Sequence, residues 1–184
     1  MKWDALRIEF YKLKILNVLR RRSHTFSKNS QEFVLKQFPV ITVDGPTASG
    51  KGTIANHVGK NLGFNVLDSG AFYRSLALIT RWENIDEGDH RTIASRAKTL
   101  SLRMEGSRFF LGADDVTMLM RDEKIGLLAS KIAKYEDVRR ALIMAQRDFA
   151  RLPGLVADGR DMGSVVFPKG TTEGFFNGKT RNSG

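Results

Sequence analysis

The segment GPTASGKGT at residues 45–53 contains the residue types that bind phosphate groups. Gly45 and Gly50 allow the backbone to turn tightly, so that successive N–H groups point into one concavity. Lys51 can reach the β- and γ-phosphates of a nucleotide and neutralise charge while the γ-phosphoryl group moves. A chance glycine turn is the alternative, because G-x-x-x-x-G-K also occurs in unrelated loops. The segment predicts nucleotide binding if a strand precedes it and a helix follows it.

The residues around this loop predict those elements. VITVD (40–44) is a short apolar run typical of a buried strand, and residues 51–62 have the apolar spacing of a helix. FNVL (64–67) predicts a second strand, and residues 70–82 a second helix. Strand, glycine turn, helix and strand in this order indicate a parallel sheet covered by helices. We therefore expect an α/β fold.

Further elements are predicted towards the C-terminus. They are a hairpin of SLRMEG (101–106) and RFFLG (108–112), helices over 121–133 and 136–150, and a third buried strand, LVADGRD (155–161).

The first and third strands both end in acids, Asp44 and Asp158. Asp158 is suited to organising Mg²⁺ through water. Asp44 is either a similar candidate or a residue that only orients the phosphate loop.

Composition and charge restrict the function classes. The chain of 184 residues has no cysteine, which excludes a disulfide framework, a thiolate metal site and a cysteine nucleophile. Its formal net charge is +10, but residues 1–33 hold eight basic and three acidic side chains, and residues 169–184 hold three and one. The excess within 34–168 is small and suits anionic nucleotides without requiring a nucleic-acid footprint.

The first 33 residues predict a basic, poorly ordered extension ahead of a core at 34–168. Residues 1–22 have the apolar spacing of a short amphipathic helix, but no run of about 20 apolar residues that could cross a membrane. We expect a cytoplasmic monomer with small-molecule partners and neither a nucleic acid nor a membrane partner. The alternative is an interaction protein whose residues 1–33 contact nucleic acid or membrane.

Three motifs carry a resemblance to a known family. GKGT at residues 50–53, in place of GKT or GKS, resembles the loop of nucleoside monophosphate kinases. LDSGAFYR (67–74) and DGRDMGSVVFP (158–168) are similar to the bacterial-type cytidylate kinases. The resemblance runs from about residue 39 to 168. It implies a P-loop kinase fold with three α/β/α layers, an insertion at about 70–150 that binds the monophosphate, and ATP-dependent phosphorylation of CMP or dCMP.

The resemblance assigns the ATP site to the phosphate loop. The implied ATP-binding residues are Gly45, Pro46, Thr47, Ala48, Ser49, Gly50, Lys51, Gly52 and Thr53. In that family, Gly52 allows the backbone to crowd the phosphates, and the Thr53 hydroxyl meets them. Mg²⁺ is then held largely through water near Thr53 and Asp158, with no direct protein ligand.

The chemistry of the acceptor site follows from the second and third motifs. Ser69 and Gly70 lie where a strand gives way to a helix, so their N–H and hydroxyl groups can meet a nucleotide. Arg74 and Arg160 can each form a bidentate fork to a monophosphate. Phosphoryl transfer then proceeds by positioning and charge neutralisation, with Lys51, Arg160 and Asp158 as the catalytic residues.

The resemblance also implies how the base is recognised. A carboxylate suits the 4-amino group of cytosine, and an arginine suits its acceptors. By resemblance, Asp161, Ser130 and Arg139 take these parts. From the residues alone, a helix-surface hydroxyl is the better interpretation of Ser130, and a solvated helix face is the alternative for Arg139.

Residues 169–184 diverge from the family pattern. KGTTEGFFNGKTRNSG holds four glycines and no apolar period, and TTEGFF predicts at most an edge strand. The expectation is a chain truncated or frameshifted after Pro168, without the arginine-rich lid and the last core elements. Two functional interpretations remain: an active cytidylate kinase, and a nucleotide-binding fragment of that family with weak or no activity.

Overall fold

The computed structural model describes residues 39–46 and 49–168, and the backbone of residues 172–175. The elements formed by these residues, in chain order, are strand β1 (Val40–Asp44), helix α1 (Lys51–Leu62), β2 (Asn65–Asp68), α2 (Ser69–Trp82), α3 (His90–Lys98), β3 (Leu102–Glu105), β4 (Arg108–Leu111), β5 (Asp114–Asp115), a 3₁₀ turn (Leu119–Arg121), α4 (Glu123–Ile132), α5 (Glu136–Arg147), β6 (Leu155–Gly159), a π-helix (Met162–Val166) and β7 (Thr172–Phe175). None of the described helices is both long and apolar enough to cross a bilayer.

A parallel sheet with the strand order β2-β6-β1-β7 forms the centre of the fold. Side chains alternate between its two faces. Ile41, Val43 and Val156 pack on one face with Ala55 of α1. A separate set of buried residues packs on the other face with α2 and α5; from the strands it includes Val40, Leu67, Leu155 and Ala157. The predicted α/β fold with three layers is confirmed.

The short connections between β1, α1 and β2 depend on glycines. Gly50 precedes α1 with φ +83°, and Gly63 follows it with φ +67°. Both are left-handed conformations that a residue with a Cβ adopts at a cost. These turns allow the strands on both sides of α1 to run parallel with the phosphate loop at their carboxyl edge.

Residues 90–147 add helices α3, α4 and α5 and a second, small sheet. The predicted hairpin is confirmed as β3 and β4, which pair antiparallel, and β5 extends this small sheet. The sequence did not predict α3, whose buried positions are Ile93, Ala94 and Ala97. His90 Nδ1 and Asp137 Oδ2, 2.5 Å apart, link the beginnings of α3 and α5.

The fourth parallel strand, β7, comes from the tail. Its residues pair with β1 in the register Ile41↔Thr172 to Asp44↔Phe175. Thr172–Phe175, within TTEGFF, is therefore an edge strand, as the sequence suggested, and it belongs to the central sheet. Strand pairing uses backbone groups, so a segment without an apolar period can occupy the open edge of β1. The remaining tail residues and residues 1–38 lie outside the described residues.

Candidate active site

The carboxyl ends of three adjacent strands bring three carboxylates to one edge of the sheet. Asp44 ends β1 and Asp68 ends β2, while Asp158 is the fourth residue of β6. The register places Asp158 opposite Asp68 on one side and opposite Val43 on the other. Asp44 and Asp158 are each only 7% exposed. Ligands of open α/β sheets bind at this edge, where the phosphate loop also lies.

The phosphate loop follows β1 and leads directly into α1. Lys51, the first residue of α1, donates from Nζ to the carbonyl oxygen of Pro46 at 2.7 Å, a contact across the loop. Ser49 Oγ is buried and has no hydrogen-bond partner within the described part of the chain. Thr47 and Ala48 lie outside the described residues. The described part provides a lysine and an unpaired hydroxyl next to a helix N-terminus, a combination suited to an anion.

Gly52 brings the first turn of α1 into contact with Asp158. A Cβ built at residue 52 would lie 3.4 Å from Asp158 Oδ2, and this is the contact that a side chain there would make. The Gly52 carbonyl accepts a hydrogen bond from Asn56 Nδ2 at 2.8 Å. Thr53 is exposed on the same turn. The glycine after the lysine therefore places the loop backbone beside a buried carboxylate.

Asp158 is electrostatically strained. Its pKa is raised from 3.8 to about 6, mainly by burial and then by the charges of Asp68 and Asp44, while Lys51 acts in the opposite direction. The nearby carboxylates therefore outweigh the lysine at this edge of the sheet. A cation bound beside Asp158 would relieve the repulsion between these carboxylates.

Asp44 holds the turn that follows β6. The N–H groups of Met162 and Gly163 donate to its two carboxylate oxygens, at 2.7 and 2.9 Å, and both bonds are buried. Both oxygens are used to fix the start of the π-helix. Of the two interpretations from sequence, the orienting one fits this geometry, although the segment that Asp44 orients is the turn after β6.

Asp161 occupies an unusual backbone conformation in this turn. Its φ is +58° and its ψ +26°, a left-handed conformation that is uncommon for residues other than glycine. Its carbonyl accepts hydrogen bonds from the N–H groups of Val165 and Val166. Arg147 of α5 donates to the carbonyls of the same two valines, at 3.1 and 2.7 Å. These bonds hold Arg160 and Asp161 in a defined turn at the end of β6, and the Arg160 side chain is exposed there.

The start of α2 is fixed by Asp68, a residue that the sequence analysis did not assign to the site. Its Oδ1 accepts the N–H of Gly70 at 2.8 Å as the N-cap of α2. This N–H, which the sequence analysis assigned to the nucleotide, is therefore engaged within the protein. Ser69 is buried, and its Cβ lies against Gly159. An acid directly before a serine and a glycine at a helix start was the available signal for the cap.

Arg74 and Ser130 meet at one residue of α4. Arg74 Nη1 donates to the Met120 carbonyl at 2.7 Å, and its guanidinium packs against Gly126. Ser130 Oγ donates to the Gly126 carbonyl at 3.0 Å. The structure thus brings α2 and α4 together, with the Ser130 hydroxyl hydrogen-bonded within its own helix.

Tyr73 lies near two of the predicted base-binding residues. Burial raises the pKa of its phenol, the charge of Arg139 lowers it, and the charge of Asp161 raises it. Both charges therefore act on one phenol although α5 and the turn after β6 are far apart in sequence. Tyr73 was missed because a tyrosine on a helix is usually part of the core; its place beside Arg74 in LDSGAFYR was the only signal.

A cavity of about 1000 Å³ lies elsewhere, beside α3, β3 and α5. Phe72, Met104 and Met144 contribute apolar surface, and Arg103 and Arg140 are among its charged lining residues. None of the predicted site residues lines it. The strand-end site is therefore separate from this cavity.

We expect Gly159→Ala to lower the free energy of unfolding by about 1–3 kcal/mol, the usual cost of overpacking. A Cβ at residue 159 would lie 2.6 Å from Ser69 Cβ and 3.0 Å from Met162 Cε. Chemical denaturation of both proteins measures the difference. Adding Ser69→Gly to Gly159→Ala removes the Cβ atom that the new methyl group meets. The double variant should therefore recover part of the lost free energy of unfolding. Unchanged stability of Gly159→Ala would contradict the close packing of β6 on α2.

Comparison with known proteins agrees with this arrangement. The sequence model of the family described as Cytidylate kinase matches residues 41–182. The match includes the phosphate loop, the segments LDSGAFYR (67–74) and DGRDMGSVVFP (158–168), and β7.

Three curated relatives show the degree of similarity. The chain is 49% identical over 138 residues to a protein named cytidylate kinase from Ralstonia pickettii (strain 12J), covering 75% of this chain and 60% of that protein. It is 52% identical over 130 residues to the cytidylate kinase of Bordetella pertussis, with coverages of 71% and 58%. It is 51% identical over 133 residues to that of Nitrosomonas eutropha, with coverages of 72% and 59%. The chain thus spans about 60% of the length of these relatives. Its match to the family model over residues 41–182 shows that the chain belongs to the cytidylate kinase family.

Proposed function

We propose that this chain transfers the γ-phosphoryl group of ATP to CMP or dCMP. The observation that carries the proposal is the grouping at one sheet edge of a phosphate loop, a buried carboxylate, and the acceptor motifs of a family whose named members are cytidylate kinases. Because the chain spans about 60% of those relatives, the reaction is proposed for it from its own residues.

The phosphate loop is the proposed donor site. Lys51 would exchange its contact with the Pro46 carbonyl for the β- and γ-phosphates of ATP. The Ser49 hydroxyl, which has no hydrogen-bond partner among the described residues, and the N–H groups at the start of α1 supply further donors. Charge on the transferred phosphoryl group is then met by donors that are already in place.

The acceptor site is proposed to lie between the start of α2, α4, α5 and the turn after β6. Arg74 and Arg160 bind the monophosphate, and Ser69 lies at the junction where the nucleotide enters. Arg139, Asp161 and Ser130 recognise cytosine, and Tyr73 is close enough to the first two for their charges to act on its phenol. The bond of Ser130 to Gly126 leaves its oxygen able to accept from the base.

The residues beside Asp158 fit a magnesium ion held through water. Asp158 has excess negative charge around it, and a hard cation prefers such oxygen ligands. Within the described ranges, no group of three or more His, Cys, Asp or Glu side chains could hold a metal ion directly. When bound with ATP, Mg²⁺ would neutralise charge on the phosphates. Asp158 and Thr53 are the residues proposed to orient its water ligands.

The cytoplasmic location, the monomeric state and the absence of nucleic-acid or membrane partners stay predictions from the sequence. The same holds for the division into an extension at 1–33, a core at 34–168 and a tail at 169–184.

The test is a coupled assay of ADP release with ATP and Mg²⁺. We expect release to depend on CMP or dCMP, and to be much slower with AMP at the same concentration, because an adenine offers a different donor and acceptor edge to Arg139 and Asp161. Reactions without an acceptor measure ATP hydrolysis alone. If CMP releases ADP no faster than this background, the proposed reaction is wrong for this chain.

A further inference from the structure

Arg74 is fixed by a segment that the sequence analysis did not connect with the acceptor site. Its Nη1 donates to the carbonyl oxygen of Met120 at 2.7 Å, across 46 positions of sequence. Met120 belongs to the 3₁₀ turn Leu119–Arg121 and is 2% exposed. The bond uses one of the five N–H donors of the guanidinium and sets the direction of the planar group. Among the described residues the guanidinium makes no other hydrogen bond, so its remaining donors can bind an oxyanion.

Gly126 forms the second contact of this guanidinium. A Cβ built at residue 126 would lie 3.2 Å from Nη1, 3.4 Å from Nη2 and 3.5 Å from Cζ. Three such distances to one planar group mean that the backbone of α4 lies directly against it. An alanine methyl group would press on the guanidinium and move it by a few tenths of an ångström or more.

Space, and not backbone conformation, explains the glycine at this position. Gly126 lies inside α4 and is not among the glycines with positive φ. Glycine within a helix is less favourable than alanine, so the residue carries a cost to helix stability. The contact with Arg74 is the feature that an alanine would disturb.

We propose that the Met120 carbonyl and Gly126 together form a seat that positions Arg74 for the phosphate of the acceptor nucleotide. Gly126 is then a positioning residue, acting through Arg74 without touching the nucleotide. The inference rests on the proposed function, because it takes Arg74 as a ligand of a nucleoside monophosphate. A displaced guanidinium forms a poorer fork with a phosphate, so the effect is specific to the phosphate and not to the base.

The experiment compares CMP with cytidine, which lacks the phosphate. Binding of both to the full chain is measured by titration calorimetry, directly for CMP and by competition for cytidine. We expect Gly126→Ala to weaken CMP binding about 10-fold and to leave cytidine binding unchanged. Its thermal midpoint should stay the same or rise, since alanine favours the helix. Leu127→Ala is the matched control. Leu127 is the next residue of α4, and because it is 65% exposed, its substitution should leave both affinities unchanged.

A double-mutant cycle with Arg74→Ala identifies the route of the effect. Arg74→Ala alone should weaken CMP binding more than Gly126→Ala does, and adding Gly126→Ala to it should change nothing further. If Gly126→Ala lowers the thermal midpoint, the comparison of the double variant with Arg74→Ala still tests the inference. A general structural effect of Gly126→Ala would weaken CMP binding even without the Arg74 side chain.

The outcomes separate the inference from the proposed function. If Arg74→Ala weakens CMP binding but Gly126→Ala does not, the seat is wrong and the proposed acceptor site stands. Equal weakening of CMP and cytidine by Gly126→Ala would also overturn the seat, since the effect would not involve the phosphate. If the unsubstituted chain does not bind CMP, both the acceptor site and the seat are wrong.

Discussion

Lys51→Ala should reduce kcat/KM for ATP-dependent phosphorylation of CMP by about 10²–10³-fold, the loss typical of one preorganised transition-state donor. Lys51 is the charged side chain of the phosphate loop, and its ammonium can follow the γ-phosphoryl group as it moves. Its one described hydrogen bond, to the Pro46 carbonyl, is exposed. We therefore expect the free energy of unfolding to change little. Steady-state kinetics and thermal melting measure the two quantities on the same preparations.

Lys60→Ala serves as the matched control for this experiment. Lys60 is an exposed lysine in the last turn of the same helix, so its removal changes net charge equally without reaching the loop. It should retain the unsubstituted rate. A Lys51→Ala protein that keeps more than about a tenth of the activity would contradict the assignment of Lys51 as a transition-state donor.

Asp158→Asn should stabilise the chain and weaken its activity together. In the absence of nucleotide and Mg²⁺, we expect the free energy of unfolding at pH 8 to rise by about 2 kcal/mol. The cause is the ionised carboxylate, which is buried at the strand end and repelled by Asp68 and Asp44. An amide of the same shape removes that charge. Partial solvent screening keeps this gain below the value that a pKa of about 6 alone would imply.

The stabilisation should depend on pH with a defined sign. The pKa of Asp158 is raised from 3.8 in the unfolded chain to about 6 in the folded one. Between these values the folded state binds more protons than the unfolded state, so the carboxylate's contribution to stability falls as pH rises. The advantage of Asp158→Asn should therefore be small near pH 4, grow between pH 4 and 6, and stay constant above pH 7. Chemical denaturation at a series of pH values measures it.

The activity of Asp158→Asn should fall about 10–100-fold, as expected for a residue that orients the ligands of a metal ion. Asp114→Asn is the control, since Asp114 is exposed on β5, away from the strand ends. Its effect on stability should be small and should not grow between pH 4 and 8. If Asp158→Asn is less stable than the original at pH 8, the carboxylate is not under the electrostatic strain that its surroundings indicate.

Local patterns were enough to predict most of the regular elements. The apolar run 40–44 and the glycines at 45 and 50 predicted β1 and the phosphate loop, and the structure has a strand there followed by α1. The hairpin and both helices after it also formed close to their predicted bounds. Helix α3 was missed because its buried face consists of Ile93 and two alanines, which give a weak periodic signal. Strand β7 was underestimated because backbone pairing at an open edge leaves little trace in side-chain type.

The candidate site was predictable where one motif contains its residues. LDSGAFYR holds Ser69, Gly70 and Arg74 within six positions, and their order along a helix start already indicates a nucleotide. The roles of the two strand-end acids were not predictable in this way. Asp44 and Asp158 have the same position in the pattern, yet Asp44 accepts two backbone N–H groups while Asp158 is left with excess negative charge.

The sequence by itself determined the phosphate loop, the fold class and the two acceptor motifs, because each depends on residues within a few positions of one another. Only the tertiary structure decided which distant groups meet: Asp68 opposite Asp158, Gly52 against Asp158, and Arg74 against Gly126. Such meetings depend on strand order, register and helix packing, which the local periodicity of side chains does not specify. Gly52, the glycine after Lys51, illustrates both what the sequence determined and what the tertiary structure decided. Its position in GKGT indicates the family, and only the fold places it beside Asp158, a carboxylate more than a hundred residues away.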